Sequence, residues 1–318
     1  MPQLNLAQAR LVNPVLTSVA QGYKTHNLVG NVLFPTVNVG LRAGQIITFG
    51  KEEFLQYSGL QRAPGANTKR VQFGYAGAPF SLLDYSLEGS LPIETLREGL
   101  ASTNGFSIDG AQLAINKVQK IMDRRLELQQ AALATTLANY PAANRKTLAG
   151  TAQFSDLTSG VSDPVNEIEI GKEAIRRATG MRPNSAVIGA SVFASLKQHP
   201  KIIDRMKYTG RDVPTIEILK GLFEIENIVI GEAVVANDAG VFSDIWGKHI
   251  VLAYTNLGGV AEQGEPTFGY TYQLDGYPLV EEPYYERNPK TWFFPVTRAE
   301  APVIAGASAA YFLQNVVA

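Results

Sequence analysis

Residues 44–90 read as a long two-stranded arm that has nothing in its own sequence to pack against. One limb alternates through Ile47, Phe49, Lys51 and Glu53. The other alternates through Val71, Phe73 and Tyr75, with Arg70, Gln72 and Gly74 on the opposite face. Between them lies a polar, breaker-rich tip, Arg62-Ala63-Pro64-Gly65-Ala66-Asn67-Thr68-Lys69, as a hairpin end requires. An isolated hairpin is at best marginally stable in water, because its half-apolar face lacks cover. No helix-period segment adjoins this one to supply it. The arm is therefore expected to bury itself on a neighbouring copy, which points to an assembly protein rather than a self-contained enzyme.

Composition bounds the rest. A chain of 318 residues has ample material for one large or two modest domains. Charged residues make up 18%, below the quarter or so that is typical, and apolar residues 45%. Either much of the nominal surface is covered by something, or this is an apolar, Gly-rich β protein. The formal charge of −1 argues against a simple polyanion binder. It is unevenly spread, since the first 51 residues hold Arg10, Lys24, Arg42 and Lys51 and no acid. Such a segment suits weak, non-specific contact with nucleic acid or an acidic partner. The chain has no cysteine, which excludes disulfides and thiolate metal sites. Asn13 and Pro14 interrupt the one candidate signal segment, and Ala301–Leu313 is too short to span a bilayer. A soluble protein made in the cytoplasm, without membrane association, is expected.

Along the chain, residues 1–43 read as an N-terminal arm with a helical patch at Pro14–Tyr23, followed by the hairpin arm at 44–90. A helix is predicted from about Ser107 to Asn139, capped by Ser107 or Asp109 and stopped by Pro141. Ile108, Ile115, Val118, Met122 and Leu126 make its apolar stripe, continued by Leu133 and Leu137, while Arg124, Arg125 and Glu127 sit off it. At ~1.5 Å per residue it would span roughly 50 Å, a strut lying along a sheet. From residue 163 the texture becomes compact α/β. Asp163-Pro164 caps a helix to Gly180, Ser185–Gly189 is a buried strand, and Ala190–His199 is a helix ended by Pro200, with Lys201–Tyr208 continuing beyond a kink. Thr215–Phe223 reads as a helix, then Glu226–Val235 and Lys248–Tyr254 as strands. Phe268–Leu274 runs into Asp275-Gly276, a type I′ turn signal, and is expected to return as a hairpin through Tyr277–Tyr285. Lys290–Val317 reads as further extended segments.

Catalytic constellations are hard to assemble from these residues. His26, His199 and His249 lack a second ligand at metal spacing. Gly189-Ala190-Ser191-Val192-Phe193 lacks the second glycine of a nucleophile elbow, so Ser191 reads as part of a helix cap. Gly171-Lys172 and Gly247-Lys248 lack the upstream glycine of a phosphate loop. Glu52-Glu53 and Glu281-Glu282 are adjacent on strands and point to opposite faces. The cluster Tyr284, Tyr285, Trp292, Phe293 and Phe294 reads as sheet packing rather than a base-stacking platform. No catalytic, cofactor-binding or metal residue is assigned.

The order of these segments resembles the major capsid proteins of tailed bacteriophages, whose Hong Kong-type fold is shared with encapsulins and herpesvirus shell proteins. Local phrasing carries the resemblance. It runs through Leu16-Thr17-Ser18-Val19-Ala20-Gln21-Gly22-Tyr23, Leu28-Val29-Gly30, Leu33-Phe34-Pro35 and Phe49-Gly50-Lys51-Glu52-Glu53-Phe54. Further on it includes Arg182-Pro183-Asn184, Val192-Phe193 through His199-Pro200, Ile203, Lys207-Tyr208, Gly231-Glu232-Ala233 and Val241–Gly247.

The resemblance implies an α+β fold with an N-arm (1–43), an extended loop (44–90), a peripheral domain with a spine helix (91–162), an axial domain (163–285) and returning strands (286–318). It also implies hexamers and pentamers tiling an icosahedral shell around double-stranded DNA. An encapsulin-like compartment and a soluble enzyme are the alternatives. The expected partners are other copies of the chain, a portal, scaffolding or decoration proteins, and packaged DNA touched non-specifically. The expected location is the virion capsid, reached from the host cytoplasm. Contact residues between subunits are expected at Lys51, Phe54, Arg62, Lys69, Arg70 and Phe73 on the arm, and at Glu281, Glu282 and Glu286 on the surface that receives it.

Overall fold

The computed structural model describes residues 14–22, 28–45, 61, 64, 79–95, 97, 110–206, 214–256 and 266–318. Two sheets organise these residues. The first contains β5 (Arg145–Thr147), β6 (Ser185–Gly189), β7 (Asn227–Gly231), β10 (Ile250–Ala253) and β15 (Ala310–Gln314), in the spatial order β5-β15-β10-β6-β7. β6 is buried at all five positions rather than at alternate ones, and the reason is that this sheet is covered on both faces. Ala186, Ile188, Ile250 and Leu252 face a core with Ile168, Ile175, Leu196, Leu219 and Phe223. Those residues belong to α4 (Pro164–Thr179), α5 (Ala190–Gln198) and α7 (Ile216–Phe223). On the other face, Val187, Val251 and Phe312 meet Leu33, Phe34, Tyr140, Trp246 and Phe268.

Local chemistry explains the helix limits in this half. Asp163 caps α4 by accepting the amide of Asn166 at 3.1 Å, Pro164 occupies the first turn, and Gly180 ends the helix at φ +74°. Pro200 separates α5 from α6 (Pro200–Met206). The sequence reading of Ser191 as a cap is corrected: Gly189 occupies the cap position, no side chain caps α5, and the buried Ser191 hydroxyl has no partner. A Cβ on Gly189 would stand 2.0 Å from the Gly247 carbonyl oxygen, so strand and loop approach too closely there for any side chain. The strand expected over Glu226–Val235 divides into β7 and β8 (Val234–Ala236), and among the described residues β8 pairs only with β9 (Phe242–Asp244).

The second sheet is built on β14 (Thr291–Ile304). One of its edges pairs with β4 (Leu83–Pro92) along ten residues. The other edge pairs in turn with β11 (Gly269–Leu274), β12 (Leu279–Val280) and β13 (Tyr284–Glu286), and β1 (Thr36–Val39) adds to β11 in parallel. Gln273 lies opposite Glu300, Leu279 opposite Thr297 and Tyr284 opposite Phe293. The chain therefore runs one way along β14 from 269 to 286, and Asp275-Gly276 does not reverse it. The hairpin expected at that dipeptide is corrected: Gly276, at φ +85°, sits in a bulge where surplus residues loop out of a continuing strand path. The reversal comes at residues 287–290, between β13 and β14.

α3 (Gly110–Thr135) lies across β4 and β14, with Ala114, Ile115, Val118 and Met122 packed on Phe294 and Val296. Gly89 permits the close approach, because a Cβ there would lie 3.1 Å from the Ala114 carbonyl oxygen. At 26 residues, about 39 Å, α3 stops earlier than the sequence suggested. Beyond Thr135 the last carbonyls are taken by side chains: Thr135 and Thr136 hydroxyls donate to Ala131 and Ala132, Asn139 to Leu133, and Tyr140 to Ala134. α1 (Pro14–Gly22) covers the same helix and β12.

The base of the arm is a short ribbon, β2 (Ala43–Gln45) against β3 (Pro79–Ser81). Phe80 stacks on Tyr272 with ring centroids 4.3 Å apart, and Arg42 pairs with Asp84 at 2.5 Å. The arm expected over 44–90 is corrected at its C-terminal end, because residues 83–90 belong to β4 and find their partner in β14 of the same chain; the limbs, 46–60 and 65–78, lie outside the described residues.

Ile175 is fully buried between α4 and the first sheet. Ile175→Ala should destabilise the subunit by about 2–5 kcal/mol, as transfer and cavity costs add; thermal unfolding of the variant beside the parent chain checks this.

Candidate assembly surface

A buried polar seam separates α3 from the second sheet. On the helix, Gln119, Asp123, Glu127 and Gln130 recur at helical spacing beside the apolar stripe. On β14, Arg298 and Glu300 point to the same side, being two residues apart on a strand. The Arg298 guanidinium lies 2.6 Å from Asp123 and also donates to Gln119. Arg125 reaches Glu300 at 2.5 Å while its guanidinium lies 3.2 Å from the centre of the Tyr85 ring. Burial pushes the Glu300 carboxyl above its ordinary value, and Arg298 and Arg125 pull it back. Two cations and two carboxylates balance here, so neither charge is buried alone.

Glu127 differs, because its partners are all neutral. Its Oε1 accepts the Val29 amide at 3.0 Å and the Trp246 indole N–H at 2.6 Å, and its Oε2 accepts the Gly30 amide at 2.8 Å. Both oxygens accept, as in an ionised carboxylate. Burial raises its pKa, while the three donors oppose the rise. Val29 precedes α2 (Gly30–Leu33), which has no side-chain cap of its own, so Glu127 supplies the acceptor from a distant helix. The sequence reading set Glu127 merely off the stripe; the structure buries it, with 2% exposure. The Gln119–Asp123–Glu127–Gln130 periodicity was the signal that could have found this seam.

The opposite face of the second sheet is acidic. Asp84 and Glu88 of β4 project there, with Glu281 and Glu286 across β14. The Thr297 hydroxyl donates to Glu281 at 3.1 Å, and the Tyr284 hydroxyl to Glu88 at 3.0 Å. Glu281, Glu282 and Glu286 are all exposed. Arg42 offsets Asp84, and Arg287 and Lys290 stand in the turn at one end. The three residues expected to receive the arm thus stand on one exposed stretch beside β14. Lys51, Phe54, Arg62, Lys69, Arg70 and Phe73 lie outside the described residues.

Little else here resembles reactive chemistry. Among the described residues, no group of three or more His, Asp or Glu is placed to hold a metal ion. His199 hydrogen-bonds the Ser162 hydroxyl at 3.2 Å, and His249 accepts the Asn315 amide. Burial lowers both imidazole pKa values. No described helix is long and apolar enough to cross a membrane.

Comparison with known proteins places this architecture. Residues 139–299 match the family described as Phage major capsid protein E. The major capsid protein of Burkholderia phage BcepMu is 38% identical over 315 residues, covering 98% of both chains. The chain belongs to the phage major capsid proteins. The crystal structure of a phage-related protein from Bordetella bronchiseptica RB50 is 40% identical and superposes with a TM-score of 0.81 over 97% of this chain and 98% of that one. The capsid of Cyanophage P-SCSP1u shares the fold at 13% identity and a TM-score of 0.56, over 90% of this chain and 88% of that one. This major capsid protein is a structural component of the virion capsid, assembles with itself into the shell, and is not an enzyme.

Replacing Glu127 in this capsid subunit should be costly. Glu127→Leu leaves three buried N–H donors without an acceptor, at about 1–3 kcal/mol each. Urea titration followed by Trp246 fluorescence should show a large loss of stability, and an unchanged midpoint would contradict the assignment.

Proposed function

We propose that the subunit forms the hexamers and pentamers of an icosahedral shell enclosing the double-stranded DNA of a tailed phage, with the limbs of the arm between β2 and β3 laid across a neighbour. The observation that carries this reading is the acidic face beside β14. Glu281, Glu286 and Glu88 are exposed there, while the arm carries Arg62, Lys69 and Arg70 near its tip. Opposite charge across such a rim sets register and partner choice more than strength. The anchoring of β2 and β3 by Phe80 on Tyr272 gives the ribbon a firm base from which to reach.

In this reading α3 and the second sheet supply the peripheral domain and the first sheet with its helices the axial domain around the capsomer centre; the axial span expected to run from 163 to 285 is shortened, because β11, β12 and β13 pair with β14 in the second sheet. The acid-free N-terminal segment faces the interior, where it touches DNA without sequence preference. Assembly takes place in the host cytoplasm, with a portal and scaffolding or decoration proteins as the further partners of this reading. Many moderate contacts closed by symmetry make the shell hard to reverse. An encapsulin-like compartment has only a shared fold behind it.

The test is charge reversal on the arm. Lys69→Glu with Arg70→Glu should block shell formation, seen by negative-stain microscopy and size-exclusion chromatography, while circular dichroism stays unchanged. Adding Glu281→Lys and Glu286→Lys should restore shells. Normal shells from the first double variant would refute the pairing.

A further inference from the structure

The outward side of α3 carries a pattern that the subunit's own packing does not use. Leu113, Lys117, Lys120, Ile121, Arg124 and Leu128 are all exposed and recur at spacings of three and four, so they line one stripe turned away from the sheet. Leu113 is 58% exposed, Ile121 52% and Leu128 41%. A surface helix ordinarily turns its large aliphatic side chains inward and leaves polar ones out. α3 already has a complete inward stripe, so these three are surplus to its core.

The charge of the stripe is one-sided. The two acids of α3 are both turned inward, Asp123 to Arg298 and Glu127 to the Val29 and Gly30 amides. Among the described residues, no acid lies within ion-pair distance of Lys117, Lys120 or Arg124. The stripe therefore alternates aliphatic and cationic side chains, with Leu113, Lys117, Ile121, Arg124 and Leu128 at the four- and three-residue steps by which one helix receives another.

We infer that this stripe is a docking ridge for an acidic, amphipathic α-helix of a separate protein. The partner's aliphatic side chains would pack between Leu113, Ile121 and Leu128, and its carboxylates would meet the three cations. The inference rests on the shell-building reading, to which it adds a partner of defined chemistry. Charge argues against the chain's own candidates: the arm's limbs carry Lys51, Arg62, Lys69 and Arg70 against only Glu52 and Glu53, and the first 51 residues contain no acid. DNA would satisfy the cations but would leave three aliphatic side chains against a phosphate backbone that offers them nothing.

Fluorescence anisotropy on the purified full chain tests the ridge. The probe is a labelled synthetic helix of about three heptads, with leucine at a and d and glutamate at e and g, beside a scrambled peptide of equal composition and a DNA duplex of about 20 base pairs. Two sets of substitutions separate the contributions: Lys117→Glu, Lys120→Glu and Arg124→Glu in one, and Leu113→Gln, Ile121→Gln and Leu128→Gln in the other. All six positions are exposed, and circular dichroism checks that both variants fold. Each set should weaken binding of the amphipathic peptide by about tenfold or more, with the scrambled peptide binding weakly throughout. Both variants should still form shells, which keeps this test separate from that of the arm. No binding by the amphipathic peptide would overturn the proposal. So would equal binding of peptide, scramble and duplex that only charge reversal removes, since that describes a general polyanion surface. Loss of shells from either variant with no partner added would also overturn it, by making the stripe a contact between copies.

Discussion

A single carboxylate joins parts of this subunit that are far apart in sequence. Glu127 stands on the long helix and accepts hydrogen bonds from the backbone at Val29 and Gly30 and from the indole of Trp246. Gly30 lets the segment come this close, because a Cβ would fall 2.0 Å from the Gln130 side-chain oxygen and displace it. The N-terminal segment is thus drawn tightly against the helix, and Trp246 brings with it the core on the near face of the first sheet. A buried charge with only neutral donors is tolerated when every lone pair that needs a partner has one, and it is expensive to disturb for the same reason.

The rest of the architecture follows from that junction. Gln130 extends it to Thr271 at 2.8 Å and to Asn31 at 3.1 Å, which fixes β11 beneath the helix. Further along the same seam, Arg298 and Arg125 hold their carboxylates between helix and sheet. These polar contacts fix where the helix sits along β14, while the apolar packing of Ile115, Val118 and Met122 supplies most of the favourable burial. The layer that results leaves an acidic face on one side of the sheet and a cationic, partly aliphatic stripe on the other side of the helix.

Local signals were legible wherever the chemistry was local. Asp163-Pro164, Gly180, Pro200 and the continuous apolar run Ser185–Gly189 each marked an element that the structure contains. Asp275-Gly276 misled, because an accommodating dipeptide permits a reversal without compelling one, and the pairing of both flanks with one long strand keeps the chain going forward. The helix end was overextended because Tyr140, Asn139 and the two threonines take its final carbonyls, a tertiary effect with little trace in periodicity. Glu127 escaped because a glutamate beside an apolar stripe usually lies in water, and only its repetition with Gln119, Asp123 and Gln130 hinted otherwise. Of the residues expected to meet a neighbour, Glu281, Glu282 and Glu286 are exposed beside β14, and those of the arm fall outside the described residues.

The subunit is therefore a sheet-and-helix layer and a doubly covered sheet held together through one buried carboxylate. Hydrogen exchange of the native chain, followed by mass spectrometry at the resolution of short peptides, tests this most directly. If Glu127 fastens the N-terminal segment to the core, amides at residues 28–34 will exchange as slowly as those of the buried strand Ser185–Gly189. Exchange at residues 28–34 as fast as in the exposed turn at 287–290, with Ser185–Gly189 still protected, would contradict it.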